Sequence, residues 1–85
     1  MFDVTDKRAA ERLAAVVVML EQREREARKE YDRVGERLRG RTIAQVKAMS
    51  ENDFRVEQAT AHATQSRWYE ARAALAAVRE LTADL

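Results

Sequence analysis

At 85 residues the chain is one domain, and a pair of helices of this size buries too little apolar surface to stand comfortably alone. It has no cysteine for disulfides and one histidine for a metal site, so oligomerisation is the remaining way to complete a core. Charged residues make up 36% of the sequence and Pro is absent, the composition of long helices, while a net charge of +1 gives no global reason to expect nucleic acid or an acidic membrane.

The first predicted element is a helix over about 6–39. Leu13, Val17, Leu20, Glu24, Ala27, Tyr31, Val34 and Leu38 recur at alternating spacings of four and three, a heptad seam. Asp3 or Thr5 can cap its start, and Gly40 is expected to stop it by adopting a left-handed conformation. The helix is roughly 50 Å long at 1.5 Å per residue.

A turn at 40–41 follows, and Thr42 to Gln45 has capping-box spacing, so a second helix is predicted over about 42–82. Its seam runs Ile43, Val46, Ser50, Phe54, Glu57, Ala61, Thr64, Trp68, Ala71, Leu75, Val78, Thr82 and Leu85, with two consecutive fours about Ser50. A continuous or slightly bent helix is the preferred reading. The alternative is a break at 50–53, because Ser50-Glu51-Asn52-Asp53 can cap a new helix.

So short a connection makes the helices antiparallel, giving an all-α fold: a two-helix, coiled-coil-like hairpin. Positions whose numbers sum to about 81 should then face one another. That sets Leu13 against Trp68, Leu20 against Ala61, Leu38 against Ile43, and Glu24 against Glu57 in a polar layer that fixes register.

Ala14 to Leu20 and Ala71 to Val78 are apolar around most of their circumference, which predicts cover on more than one side. The expectation is a homodimer in which two hairpins form a four-helix bundle through Leu13, Val16, Val17, Leu20, Trp68, Leu75 and Val78, with Phe2, Val4, Leu81 and Leu85 closing its end. The turn end carries Arg33, Arg37, Arg39, Arg41 and Lys47 against Asp32 and Glu36. These cations are candidates for contact with an acidic protein or phosphate, although Arg near a helix C-terminus also simply complements the macrodipole. Tyr69, beside the seam, is a further candidate for partner contact, whereas Glu21 to Glu30 alternates acids and bases as a solvated, salt-bridged face does.

Catalytic chemistry finds no support. There is no Gly-rich phosphate loop and no zinc-ligand spacing. His62 has Ser66 one turn on, but no acid to orient the ring and no oxyanion donors within unbroken helix. A metal between Glu24 and Glu57 would want a Glu-x-x-His pair, and Thr60 stands at that spacing, so no cofactor is expected.

In architecture the chain resembles the small secreted helical hairpins with a Trp-x-Gly turn, which dimerise into four-helix bundles. Its own turn, Leu38-Arg39-Gly40-Arg41, has no Trp, and Ala73 stands four after Tyr69 where their export signal has an acid. Neither membership nor secretion is read from that likeness.

The expected function is that of a non-enzymatic structural or adaptor protein, acting through self-association and binding of another protein. The alternative is a small nucleic-acid-associated protein using the basic tip for phosphate contacts. No apolar run reaches the roughly 18 residues that span a bilayer, and Asp3 and Asp6 precede any apolar stretch, unlike a signal peptide, so a cytoplasmic location is expected.

Overall fold

The computed structural model describes residues 4–83, with side chains described from Asp6 onward. The expected cap at Asp3 or Thr5 and the closing roles of Phe2, Val4 and Leu85 lie outside these residues and side chains. The described chain is almost entirely helical, without strands: α1 spans Val4–Arg39, α2 Ile43–Ala48 and α3 Glu51–Thr82. It measures 68 × 17 × 16 Å, and its radius of gyration, 19.5 Å, compares with about 12 Å for a compact domain of this length.

The helix junctions follow from local chemistry. Gly40 N–H donates to the Glu36 carbonyl at 3.0 Å and Arg41 N–H to the Leu38 carbonyl at 3.3 Å, closing α1. Contrary to expectation, no residue described has a positive φ, so Gly40 ends the helix without a left-handed turn. Thr42, in extended conformation, then starts α2 through the predicted capping box: its hydroxyl accepts from Gln45 N–H at 3.1 Å and the Gln45 carboxamide accepts from Thr42 N–H at 2.8 Å.

The second helix is broken, not continuous. Met49 and Ser50 both leave helical geometry, with ψ of 142° and 155°, and the Ser50 hydroxyl accepts from Asp53 N–H at 3.1 Å. The stutter marks the place where a seam residue would have left the interface. A serine there gains more as a cap than in a helix interior, because its oxygen satisfies an otherwise unpaired amide of the new helix.

The break moves the fold-back point, and with it the whole register. Arg41 pairs with Glu57, Tyr31 with Trp68 and Glu21 with Arg79, pairs whose numbers sum to about 99, not the expected 81. Residues early in α1 meet residues late in α3, so the two pack antiparallel, and the arrangement fits a helical hairpin with α2 as its connector. Trp68 therefore does not face Leu13, nor Glu24 face Glu57. The reason is length: the connector is the whole of 40–50, and α3 starts one short helix later than a two-residue turn would allow.

Only three described residues are buried: Val34, Thr64 and Leu75. Val34 and Thr64 both obey the new register, and the Thr64 hydroxyl is satisfied by the Ala61 carbonyl at 2.9 Å, so its burial leaves no orphaned donor. Leu13, Val17, Leu20, Ala27, Tyr31 and Leu38 of the α1 seam are half-buried. The seam predicted for α1 is thus the face that meets α3, but two helices cover it only in part.

Candidate interaction surface

Trp68 holds the middle of the rod together. Its indole N–H donates to Glu24 Oε1 at 3.0 Å, its ring lies 5.1 Å from Tyr31 in a stacked pair, and the Arg72 guanidinium sits 5.1 Å over it. Tyr69 lies 5.5 Å away, half exposed, its hydroxyl accepting from Gln65 Nε2 at 3.3 Å. A carboxylate, a cation and three rings thus gather about Trp68, Glu24 reaching it from two turns along α1, and each ring has a neighbour.

The connector end is organised about Arg41. Its guanidinium makes a two-pronged ion pair with the Glu57 carboxylate and reaches the Met49 sulfur, in a groove walled by Leu38, Val46 and Phe54. Arg33 is similarly engaged by Glu30, and the Glu30 carboxyl is held below its ordinary value by that hydrogen bond first, with the fields of Arg33, Arg67 and Arg37 adding to it. Arg37, Arg39 and Lys47 are exposed. Of the five cations read as one basic tip, Arg41 is therefore tied to α3 and Arg33 to its own helix. The sequence signal for Arg41 was its position after Gly40, which says nothing about a carboxylate 16 residues on.

The residues expected to drive self-association divide by burial. Leu75 is buried against α1; Leu13, Val17, Leu20, Trp68 and Val78 are half-buried; Val16 remains exposed, as do Met19 and Leu81, the latter at 75%. Steps of about 100° per residue sort these into two sides of the rod. One side carries Glu21, Glu24, Arg25, Arg72, Ala76 and Arg79, which line a common polar groove bridged by Glu21 and Arg79 at 3.8 Å. The other carries Val16, Met19 and the exposed Arg23 from α1 and Ala74 and Leu81 from α3, while Val18, 62% exposed, falls beside Arg25 on the first side, so neither side is uniformly polar or apolar.

Arg79 is level with Glu21, so Thr82 reaches about Val17, and the part of α1 before it runs past the described end of α3. Every described side chain from Asp6 to Arg12 is accordingly exposed. His62 is exposed and Ser66 half-buried, both on α3, and among the described residues no group of three or more His, Cys, Asp or Glu could hold a metal ion. No helix described is long and apolar enough to cross a membrane.

No family model, curated protein or solved structure matches the chain.

Proposed function

We propose that this chain is a non-enzymatic structural or adaptor protein that works as a homodimer, two hairpins forming a coiled-coil-like four-helix bundle that presents its remaining faces to a further protein. The observation that carries this reading is exposed surface. The chain exposes 7142 Å², whereas a compact monomer of 9.8 kDa exposes about 5,200 Å². A standard interface takes about 800 Å² from each partner, so a second copy can absorb much of the excess of about 2,000 Å² and leave room for another protein. Three buried residues are too few to hold so extended a fold without such help.

The alternative, a small nucleic-acid-associated protein gripping phosphate at the connector end, loses two of its five cations to carboxylates. It predicts measurable binding to duplex DNA or single-stranded RNA at about 50 mM salt, where phosphate contacts are strongest. No binding there discards it.

Self-association is tested by thermal unfolding, followed by circular dichroism at concentrations a hundredfold apart on the order of 1 and 100 μM. A dimer gains stability by mass action, so its Tm rises with concentration. A cooperative transition at one Tm throughout would overturn the proposal.

A further inference from the structure

We infer that the groove between Arg25 of α1 and Arg72 of α3 binds a carboxylate side chain from an acidic segment of a partner protein. The inference rests on the adaptor part of the function just proposed and names one face and the chemistry it takes. Arg72 is level with about residue 27 of α1 in the observed register, so it and Arg25 stand across one groove of about 320 Å³. Both residues are exposed, and neither is ion-paired with a described carboxylate. The acids beside them are engaged elsewhere: Glu24 accepts the Trp68 indole N–H at 3.0 Å, and Glu21 lies 3.8 Å from Arg79. Two like charges lining one groove repel, and a carboxylate between them relieves both through charge-assisted hydrogen bonds.

Arg72 is already positioned for this. Its guanidinium lies 5.1 Å over Trp68 and 6.0 Å from Tyr69, contacts made by its face, which leave the N–H groups of its edge for an anion and reduce the ordering that binding costs. Charge balance selects the anion. With Arg79 the groove is lined by three arginines against two glutamates, one positive charge in excess, so a single carboxylate leaves it neutral. A phosphate group, carrying about −1.5 to −2, would instead place uncompensated charge beside Glu21 and Glu24. The surroundings select a peptide. The groove runs on into a hollow formed by Arg72, Ala73, Ala76 and the half-exposed Tyr69, and Val18, 62% exposed, falls beside Arg25. An acid flanked by apolar side chains therefore meets cations at its centre and apolar surface to either side.

Trp68 is the one tryptophan of the sequence, so its indole N–H gives a single NMR signal beside the groove. The blocked tripeptide acetyl-Leu-Glu-Leu-amide should shift that signal saturably, with a Kd on the order of 1 mM at about 20 mM salt. Its Gln analogue and inorganic phosphate, at matched ionic strength, should each bind at least about fivefold more weakly. Arg25→Gln should weaken peptide binding to a similar extent, while Arg23→Gln, exposed on the opposite flank of α1, should leave it unchanged. Circular dichroism confirms that each variant remains helical. The absence of a saturable shift, equal binding of the Gln analogue, tighter binding of phosphate or an equal loss at Arg23→Gln would overturn the carboxylate site. Sedimentation of the same samples separates this from self-association. A dimer that ignores the peptide overturns the groove and leaves the proposed bundle standing, whereas a monomer that binds it keeps the groove and removes the dimer.

Discussion

Glu24 and Trp68, 44 residues apart, are joined by a hydrogen bond of 3.0 Å from indole to carboxylate. That bond ties the middle of α1 to the middle of α3, Glu24 reaching two turns along the rod from the level of Tyr31, which stacks on the same indole. A hydrogen bond to a charged group contributes about 1.5–3 kcal/mol when well shielded, and here the shielding is partial. Trp68→Phe, which keeps a ring against Tyr31 but removes the donor, should lower stability by about 1–2 kcal/mol in urea unfolding. Glu24→Gln keeps an acceptor and should cost less than half as much. A loss at Trp68→Phe with none on removing the acceptor altogether in Glu24→Ala would mean that ring packing, not the bond, carries the effect.

The pair of Arg41 and Glu57 closes the connector onto α3, with the two side chains only 25% and 21% exposed. Removing either partner strands the other in a half-buried groove. Arg41→Met and Glu57→Gln should each destabilise by about 1–2 kcal/mol, and together by less than the sum. Hydrogen exchange should speed up at the amides of 42–51 more than in mid-helix. Strict additivity in the double-mutant cycle would show that the two do not act as a pair.

Ser50 decides where the second helical stretch starts. Ser50→Ala removes the acceptor for the Asp53 amide and should cost about 1 kcal/mol. The same change improves the prospects of one unbroken helix from Ile43 onward, the competing register. Spin labels at Arg25 and Ala73 should report a short distance in the wild type, and a population with a longer one should emerge in the variant. A distance unaffected by Ser50→Ala would show that the connector is fixed by packing rather than by its cap.

Much of this fold is legible in the sequence. The α1 seam from Val17 to Leu38 is half-buried or buried on the face that meets α3, as the spacing of four and three predicts, and the capping box at Thr42 and Gln45 forms in both its bonds. Register was not legible, because it hangs on whether Ser50 behaves as a seam residue or as a cap. Heptad spacing and N-cap chemistry point in opposite directions at that one residue, and the difference shifts every later contact by about 18 residues. The partner of Arg41 was hidden for a related reason: composition locates Arg41 near the turn, but only the register brings Glu57 to it.

Gly35 is an untapped source of stability. It lies inside α1 without a positive φ, and an added Cβ would meet only the mobile end of Arg39, at 3.0 Å. Arg39 can swing aside into solvent. Gly35→Ala should therefore stabilise α1 by about 0.5–1 kcal/mol, read as a higher urea midpoint at unchanged slope. A loss of stability would mean that Arg39 is held where it lies.

The pairing of Glu30 with Arg33 gives a small pH dependence of definite sign. The folded-state pKa of Glu30 is lowered, so its contribution is fully present above the unfolded value and is lost as pH falls through the lowered one. Because the group lies in solvent, the effect should be slight and should shrink with added salt. Glu30→Gln should remove that part of the acid-side decline in Tm. A steeper decline in the variant would contradict the sign.

Sedimentation equilibrium of the wild type beside Met19→Glu decides most directly whether two copies complete this rod. The wild type should fit twice the monomer mass of 9.8 kDa at micromolar concentration, and the variant, with charge set at an exposed apolar residue of α1, should fall toward the monomer or lose its helix. A wild type that stays monomeric and cooperatively folded across that range would contradict the reading of this chain as a self-associating bundle.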